Sequence, residues 1–238
     1  MSTPATRTYR ILAVSAGLSS PSSTRMLADQ LSRETTAALS ADGAEVEVRT
    51  IELREYAHDL TDGLLTHFPN ERLAMVVEQL RAADAVIAVT PIFNVGPSGL
   101  FKLFIDALDI DLWKGKPVLL GATAGTARHS LAIDYAIRPM FGYLKSEVVP
   151  TVVFAASADF GADTEGQADE QPLATRVRRA ARELATMLRA GLPEGAEVAE
   201  ETAADAAGEP VTVGAPSRPA LDAEFSDFVP MGDLLKGR

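Results

Sequence analysis

At 238 residues, of which 47% are hydrophobic, the chain suits one α/β domain with a sizeable core and an appendage. Its formal charge of -11 argues against nucleic acid as the main partner. The absence of cysteine excludes disulfides, thiolate catalysis and cysteine metal sites, and it fits a reducing cytosol.

The N-terminus, MSTPATRTYR, has no apolar run before Ile11, so neither a signal peptide nor a membrane span is expected, and a cytoplasmic location is. RILAVSAG (10–17) reads as a buried strand ending in small residues. A polar loop, LSSPSS, leads into a helix with Leu27, Leu31, Thr35 and Ala38 on one face, closed near Gly43. Residues 44–53 alternate Val46, Val48 and Ile51 as a half-buried strand does. Residues 54–69 have no clear period and read as a long connection. Asn70 is suited to cap the next helix, whose stripe is Leu73, Val76, Val77 and Leu80.

DAVIAVTPIF (84–93) is apolar almost throughout and reads as a third strand. Pro97 and Ser98 are predicted to open a helix running through Leu108, apolar on more than one face. KPVLLGATAG (116–125) is a fourth strand. Residues 130–144 are helical with Pro139 as a kink or break. EVVPTVVFAA (147–156) is a fifth strand, at a sheet edge or starting after Pro150. Residues 171–189 form an amphipathic helix with Leu173, Val177, Leu184 and Leu188 on one side.

Residues 191–238 differ in character. They hold ten acids and three bases, against twenty-three and nineteen in residues 1–190. Their composition predicts a mostly disordered acidic tail with an apolar end, FSDFVPMGDLL. The division is therefore 1–190 as domain and 191–238 as tail.

Five apolar strands alternating with helices predict a three-layer α/β fold with a doubly wound, five-stranded parallel sheet. In such sheets ligands lie beyond the carboxyl ends of the strands. Three loops there carry the candidate chemistry. The first, SAGLSSPSST (15–24), places five serines and a threonine before a helix. A helix entrance attracts anions, and hydroxyls add donors without charge, which suits a phosphomonoester. A plain βα turn capped by Ser22 or Ser23 has the same composition. GxGxxG and GxxxxGK[ST] are both absent, which argues against a Rossmann dinucleotide site and a P-loop.

The second loop, TPIFNVGPSG (90–99), offers a rigid start, an aromatic, an amide and two glycines. It suits a flat heteroaromatic ring, with Phe93 near the ring and Asn94 at its polar edge. A Pro/Gly turn with Phe93 in the core is the alternative. The third, ATAGTARH (122–129), has small residues that allow close backbone approach, and Arg128 and His129 within reach of a pyridine nucleotide's phosphates. A solvated Arg and His on a loop rim read equally well.

SAGLSSPSSTRML, TPIFNVGPSGLFKLFIDAL and ATAGTARHSL, in this order and spacing, resemble the three flavin loops of the NADPH-dependent FMN reductase family. The likeness covers roughly residues 8–190 and is closest to an actinobacterial-type branch with an acidic tail. It implies a flavodoxin-like sheet of order 2-1-3-4-5, FMN, NADPH or NADH, and a homodimer or homotetramer. By position, it implies that Ser15, Ser22 and Thr24, with Ser23 between, hold the FMN phosphate. Pro91, Phe93 and Asn94 fall beside the isoalloxazine, Ala124 and Gly125 in the third loop, and Arg128 where family members accept the nucleotide. The family often has Arg at Ser19, Asn at Thr24 and Glu at Ile92.

The implied activity is NAD(P)H-dependent reduction of FMN, with reduced flavin passing to a partner such as a flavin-dependent monooxygenase. A quinone, azo-dye or chromate reductase would share every loop. An electron-carrier flavodoxin would have a tighter phosphate loop and aromatics flanking the ring. His58, His67 and His129 lack metal spacing and a triad acid and read as surface residues; Trp113 reads as a packing anchor. No GxSxG elbow is present.

Overall fold

The computed structural model describes residues 7–160 and 172–191. Strand β1 (Thr8–Ser15) is followed by helix α1 (Ser23–Ser40), β2 (Glu45–Glu52), a 3-10 turn (Leu53–Tyr56) and α2 (Ala57–Thr66). Next come α3 (Glu71–Ala82), β3 (Ala85–Phe93), a two-residue β4 (Gly96–Pro97), α4 (Gly99–Ala107) and β5 (Pro117–Ala124). The last elements are α5 (Arg138–Tyr143), β6 (Glu147–Val148), β7 (Val153–Ala156) and α6 (Leu173–Ala190).

The sheet runs β2-β1-β3-β5-β6, with β7 also paired to β5 and all of these pairings parallel. This is the expected flavodoxin-like α/β fold, with two departures in strand order. The fifth position is shared by two short strands, because Pro150 has no N–H to donate and interrupts pairing between them. In addition, β4 pairs antiparallel with β3.

The central strands read as unbroken apolar runs because both faces are covered. Leu12 and Val14 of β1 enter one core, with α3 and α4, while Tyr9, Ile11 and Ala13 enter the other, with α1 and α6. At the edge, β2 buries only Ile51 fully, as its alternating sequence requires. Beneath α4, Trp113 is fully buried and packs edge-on against Phe104 and Phe141, at 5.9 and 5.5 Å between ring centres. The expected packing anchor is there.

Two local expectations are corrected and a third is borne out. The stretch 54–69 is not a bare connection but holds a 3-10 turn and α2. The helix is short, and Tyr56 at its entrance offers no capping side chain of the kind that Ser22 and Asn70 supply to α1 and α3, so no start signal marks it. Pro97 does not open α4; it lies in β4, and Ser98 is the cap, accepting from the Phe101 N–H. Pro139 marks the expected break: the helical stretch changes there from a π-helical turn (Ile133–Ile137) to α5, with the proline in the first turn of α5.

The acidic tail, apart from Gly191, lies outside the described residues. Among those residues, no helix is long and apolar enough to cross a membrane.

Candidate functional site

The carboxyl ends of β1, β3 and β5 lie side by side. Ser15 is level with Val89, Pro91 is level with Thr123, and the Ala16 N–H donates to the Val89 carbonyl at 2.9 Å. The three candidate loops leave the sheet from this edge.

Loop one folds tightly over the entrance of α1. Ser15 is buried, and its hydroxyl accepts from the Gly17 N–H at 3.5 Å. Ser22 has extended backbone and caps the helix, its hydroxyl accepting from the Arg25 N–H at 3.2 Å. Ser23 and Thr24 therefore head the helix with N–H groups that the helix itself does not use. Thr24 is buried, and its hydroxyl shares a 2.8 Å hydrogen bond with that of Thr123, tying loop one to the end of β5. A hydroxyl has capacity for further bonds beyond that one.

Gly17 makes the fold of this loop possible. A Cβ there would stand 2.0 Å from Ser22 Oγ and 3.2 Å from Thr24 Cβ. Sequence reasoning passed over Gly17, although a glycine directly after a buried strand is the signal for such close approach.

Charge gathers beside the loop rather than in it. Residues 16–24 contain no ionised side chain. Glu52, at the end of β2 and level with Ser15, binds Arg25 at 2.6 Å and Arg54 at 2.9 Å. Arg25 also binds Asp29 at 2.8 Å, and Arg54 donates to the Ser19 carbonyl at 3.2 Å. The hydrogen bond to Asp29 is the main reason the Arg25 guanidinium sits above its ordinary pKa; burial opposes it and the charge of Glu52 adds to it. No spacing along the chain marks this network, because its members come from three elements.

Loop two is a tight hairpin. Ile92 pairs with Pro97 and Phe93 with Gly96, leaving Asn94 and Val95 at the turn with φ of 51° and 66°. Two successive left-handed residues mark a type I′ turn, which Asn adopts readily and a β-branched residue such as Val95 only against its steric preference. The base is pinned from below: buried Thr90 accepts from the Ser98 N–H at 3.1 Å and donates to the Pro91 carbonyl at 3.0 Å. Pro91 is buried. Phe93, at 48% exposed, is not a core residue, and Val95 at 65% stands out with it. The core alternative for Phe93 is thereby overturned.

Loop three begins at half-buried Ala124, passes through exposed Gly125 and Thr126, and closes in a 3-10 turn, Ala127–His129. A side chain at Gly125 would meet nothing within 4 Å, so the backbone borders open space. Arg128 is exposed on the rim and His129 half-buried. His58 and His67 are exposed, and among the described residues no acid, histidine or cysteine cluster could hold a metal.

A groove of about 640 Å³ lies elsewhere, between α3 and the middle of β1 and β2, lined by Arg10, Leu12, Arg49, Met75 and Gln79 among others. It runs along a face of the sheet, and its lining includes no residue of the three loops. The candidate site is the three-loop edge.

A family model for NADPH-dependent FMN reductase matches residues 9–161. The FMN reductase (NADPH) of Pseudomonas aeruginosa is 32% identical over 182 residues, covering 76% of this chain and 94% of that protein. The NADH-dependent FMN reductase SfnF of Pseudomonas fluorescens is 30% identical, covering 76% and 92%. An oxidoreductase structure from Corynebacterium diphtheriae is 42% identical with a TM-score of 0.72, over 78% of this chain and 100% of that one. With its loops at the carboxyl edge of a flavodoxin-like sheet and a family match over most of the described domain, the chain belongs to the NADPH-dependent FMN reductase family.

Proposed function

We propose that the chain is an NAD(P)H-dependent FMN reductase whose first loop holds the FMN phosphate. The observation that carries the assignment is the entrance of α1. Gly17 lets the loop close over it, Ser22 caps it, and the free N–H groups of Ser23 and Thr24 face an anion with the helix dipole behind them. Ser15 and the hydroxyls of Ser22, Ser23 and Thr24 supply neutral donors around the same point.

When bound, FMN would supply the redox chemistry, as acceptor of a hydride from the nicotinamide. The chain's residues would bind and orient it. Pro91, Phe93 and Asn94 would hold the ring, and the Ala124 and Gly125 N–H groups would offer hydrogen bonds to its polar edge. Open space beside Gly125 leaves room for the nicotinamide, and Arg128 on the rim meets the nucleotide's phosphate.

The same reading includes a homodimer or larger assembly, supported by Leu100 and Leu103, which remain half-buried on α4. It also includes a cytoplasmic setting, where the nucleotide is available, and release of reduced FMN to a flavin-dependent monooxygenase. The test is steady-state oxidation of NADPH and NADH with FMN as acceptor. Turnover with either nucleotide is expected; a preparation that binds FMN but oxidises neither would be an electron carrier instead. Light scattering at micromolar concentration is expected to give a mass of at least two chains.

A further inference from the structure

We infer that Arg54 is the cation of the phosphate site and sets the preference for FMN over riboflavin; the inference rests on the first-loop reading above. A phosphomonoester carries about -1.5 to -2 at pH 7, whereas a helix entrance offers only about half a positive charge. Loop one, residues 16–24, adds none of its own. The balance must come from neighbouring side chains.

Two arginines stand next to the loop. Arg25 is committed: its guanidinium is bonded to both Asp29 and Glu52, at 2.8 and 2.6 Å, so two carboxylates already answer its charge. Arg54 has a different arrangement. Its carboxylate partner is Glu52, which it shares with Arg25, and its other bond goes to a neutral acceptor in the loop itself, the Ser19 carbonyl. Glu52 thus acts as a post, fixed at the end of β2 level with Ser15, that holds the Arg54 guanidinium against the loop from outside. A guanidinium with five donors keeps both bonds and still has donors for a phosphate oxygen. The side chain is 32% exposed, open to an incoming anion.

The competing role is a brace, in which Arg54 only fixes the loop through Ser19. Two substitutions separate the roles. In Arg54→Gln the side-chain amide still donates to a carbonyl but carries no charge. In Arg54→Lys the charge remains while the planar fork is lost. Dissociation constants for FMN and for riboflavin are measured by flavin fluorescence for the wild type and both variants, from pH 5 to 8. Arg54→Gln is expected to weaken FMN by about ten- to hundredfold, the scale of a charge-assisted bond, and to leave riboflavin unchanged. Arg54→Lys is expected to keep FMN within about threefold of wild type on the same scale. The gain in wild-type FMN affinity as the phosphate loses its second proton near pH 6 should flatten in Arg54→Gln.

Equal weakening of FMN by both variants would show that charge is not what Arg54 contributes and would overturn the inference. So would an Arg54→Gln protein that binds FMN as the wild type does. A wild type that binds FMN no tighter than riboflavin would remove the phosphate site itself, and this result is distinguishable because it appears before any substitution is made. Riboflavin binding by the variants serves as the check that they are folded.

Discussion

The two sides of the candidate site are built differently. The proposed phosphate side, residues 15–24, is held by buried hydroxyls, a helix cap and an arginine–carboxylate network drawn from α1, β2 and the turn after it. The proposed ring side, residues 91–97 and 124–129, is pinned only at its base by Thr90 and Ser98 and ends in exposed Phe93, Val95, Gly125 and Arg128. The contrast fits what each side is proposed to do. A phosphate is recognised by fixed donors whose arrangement must exist before it arrives. A flavin ring that reacts with a second molecule needs an uncovered face, because hydride transfer requires the reacting atoms to be about 3–3.5 Å apart.

The largest effect should come from removing the donors on the phosphate side. The Ser22→Ala, Thr24→Ala double variant is expected to lose about 1.5–3 kcal/mol of FMN binding for each lost charge-assisted bond. It should also lose about 1 kcal/mol of stability with the cap. Isothermal titration with FMN and a thermal melt check both, and unchanged FMN affinity would take these side chains out of the site.

Gly17→Ala comes next. Its methyl group would overlap Ser22 Oγ, and relaxing that overlap costs about 1–3 kcal/mol, drawn from stability, FMN affinity or both. A variant with wild-type melting temperature and FMN affinity would show that the loop has slack the present geometry denies.

On the ring side, Arg128→Ala should raise the KM for NADPH about tenfold, the scale of one surface-exposed charge-assisted contact, with little change for NADH or for FMN binding. Equal effects on both nucleotides would remove Arg128 from the 2′-phosphate and leave it as a general rim cation.

The smallest effect should be Phe93→Ala. A half-exposed aromatic against a ring is worth about 0.5–1.5 kcal/mol, and the loss should be the same for FMN and riboflavin. This pattern sharpens the comparison: phosphate-side variants separate the two flavins, and ring-side variants do not. A Phe93→Ala protein that weakened FMN alone would break it.

Much of this was legible along the chain. The alternation of apolar runs with amphipathic stretches gave the doubly wound sheet, because strands covered on both faces must be apolar at every position. Asn70 was readable as a cap because capping is a local event between a side chain and a backbone N–H three residues away. The three loops could be found because a doubly wound fold puts function at strand ends. Helix α2 is hidden because it is short and no capping residue announces it, and the hairpin at Asn94 and Val95 because a β-branched residue at positive φ contradicts local preference.

What the sequence by itself determined, then, is what short-range chemistry decides: strand and helix patterns, caps, the hydroxyl-rich helix entrance and the absence of cysteine chemistry. Only the tertiary structure decided which distant residues share a place. Thr24 meets Thr123 across 99 positions, and Glu52 joins Arg25 and Arg54 because the pairing of β2 with β1 sets it beside Ser15. Such meetings depend on strand order and register, which arise from packing the whole sheet and leave no trace in the spacing of the residues they bring together.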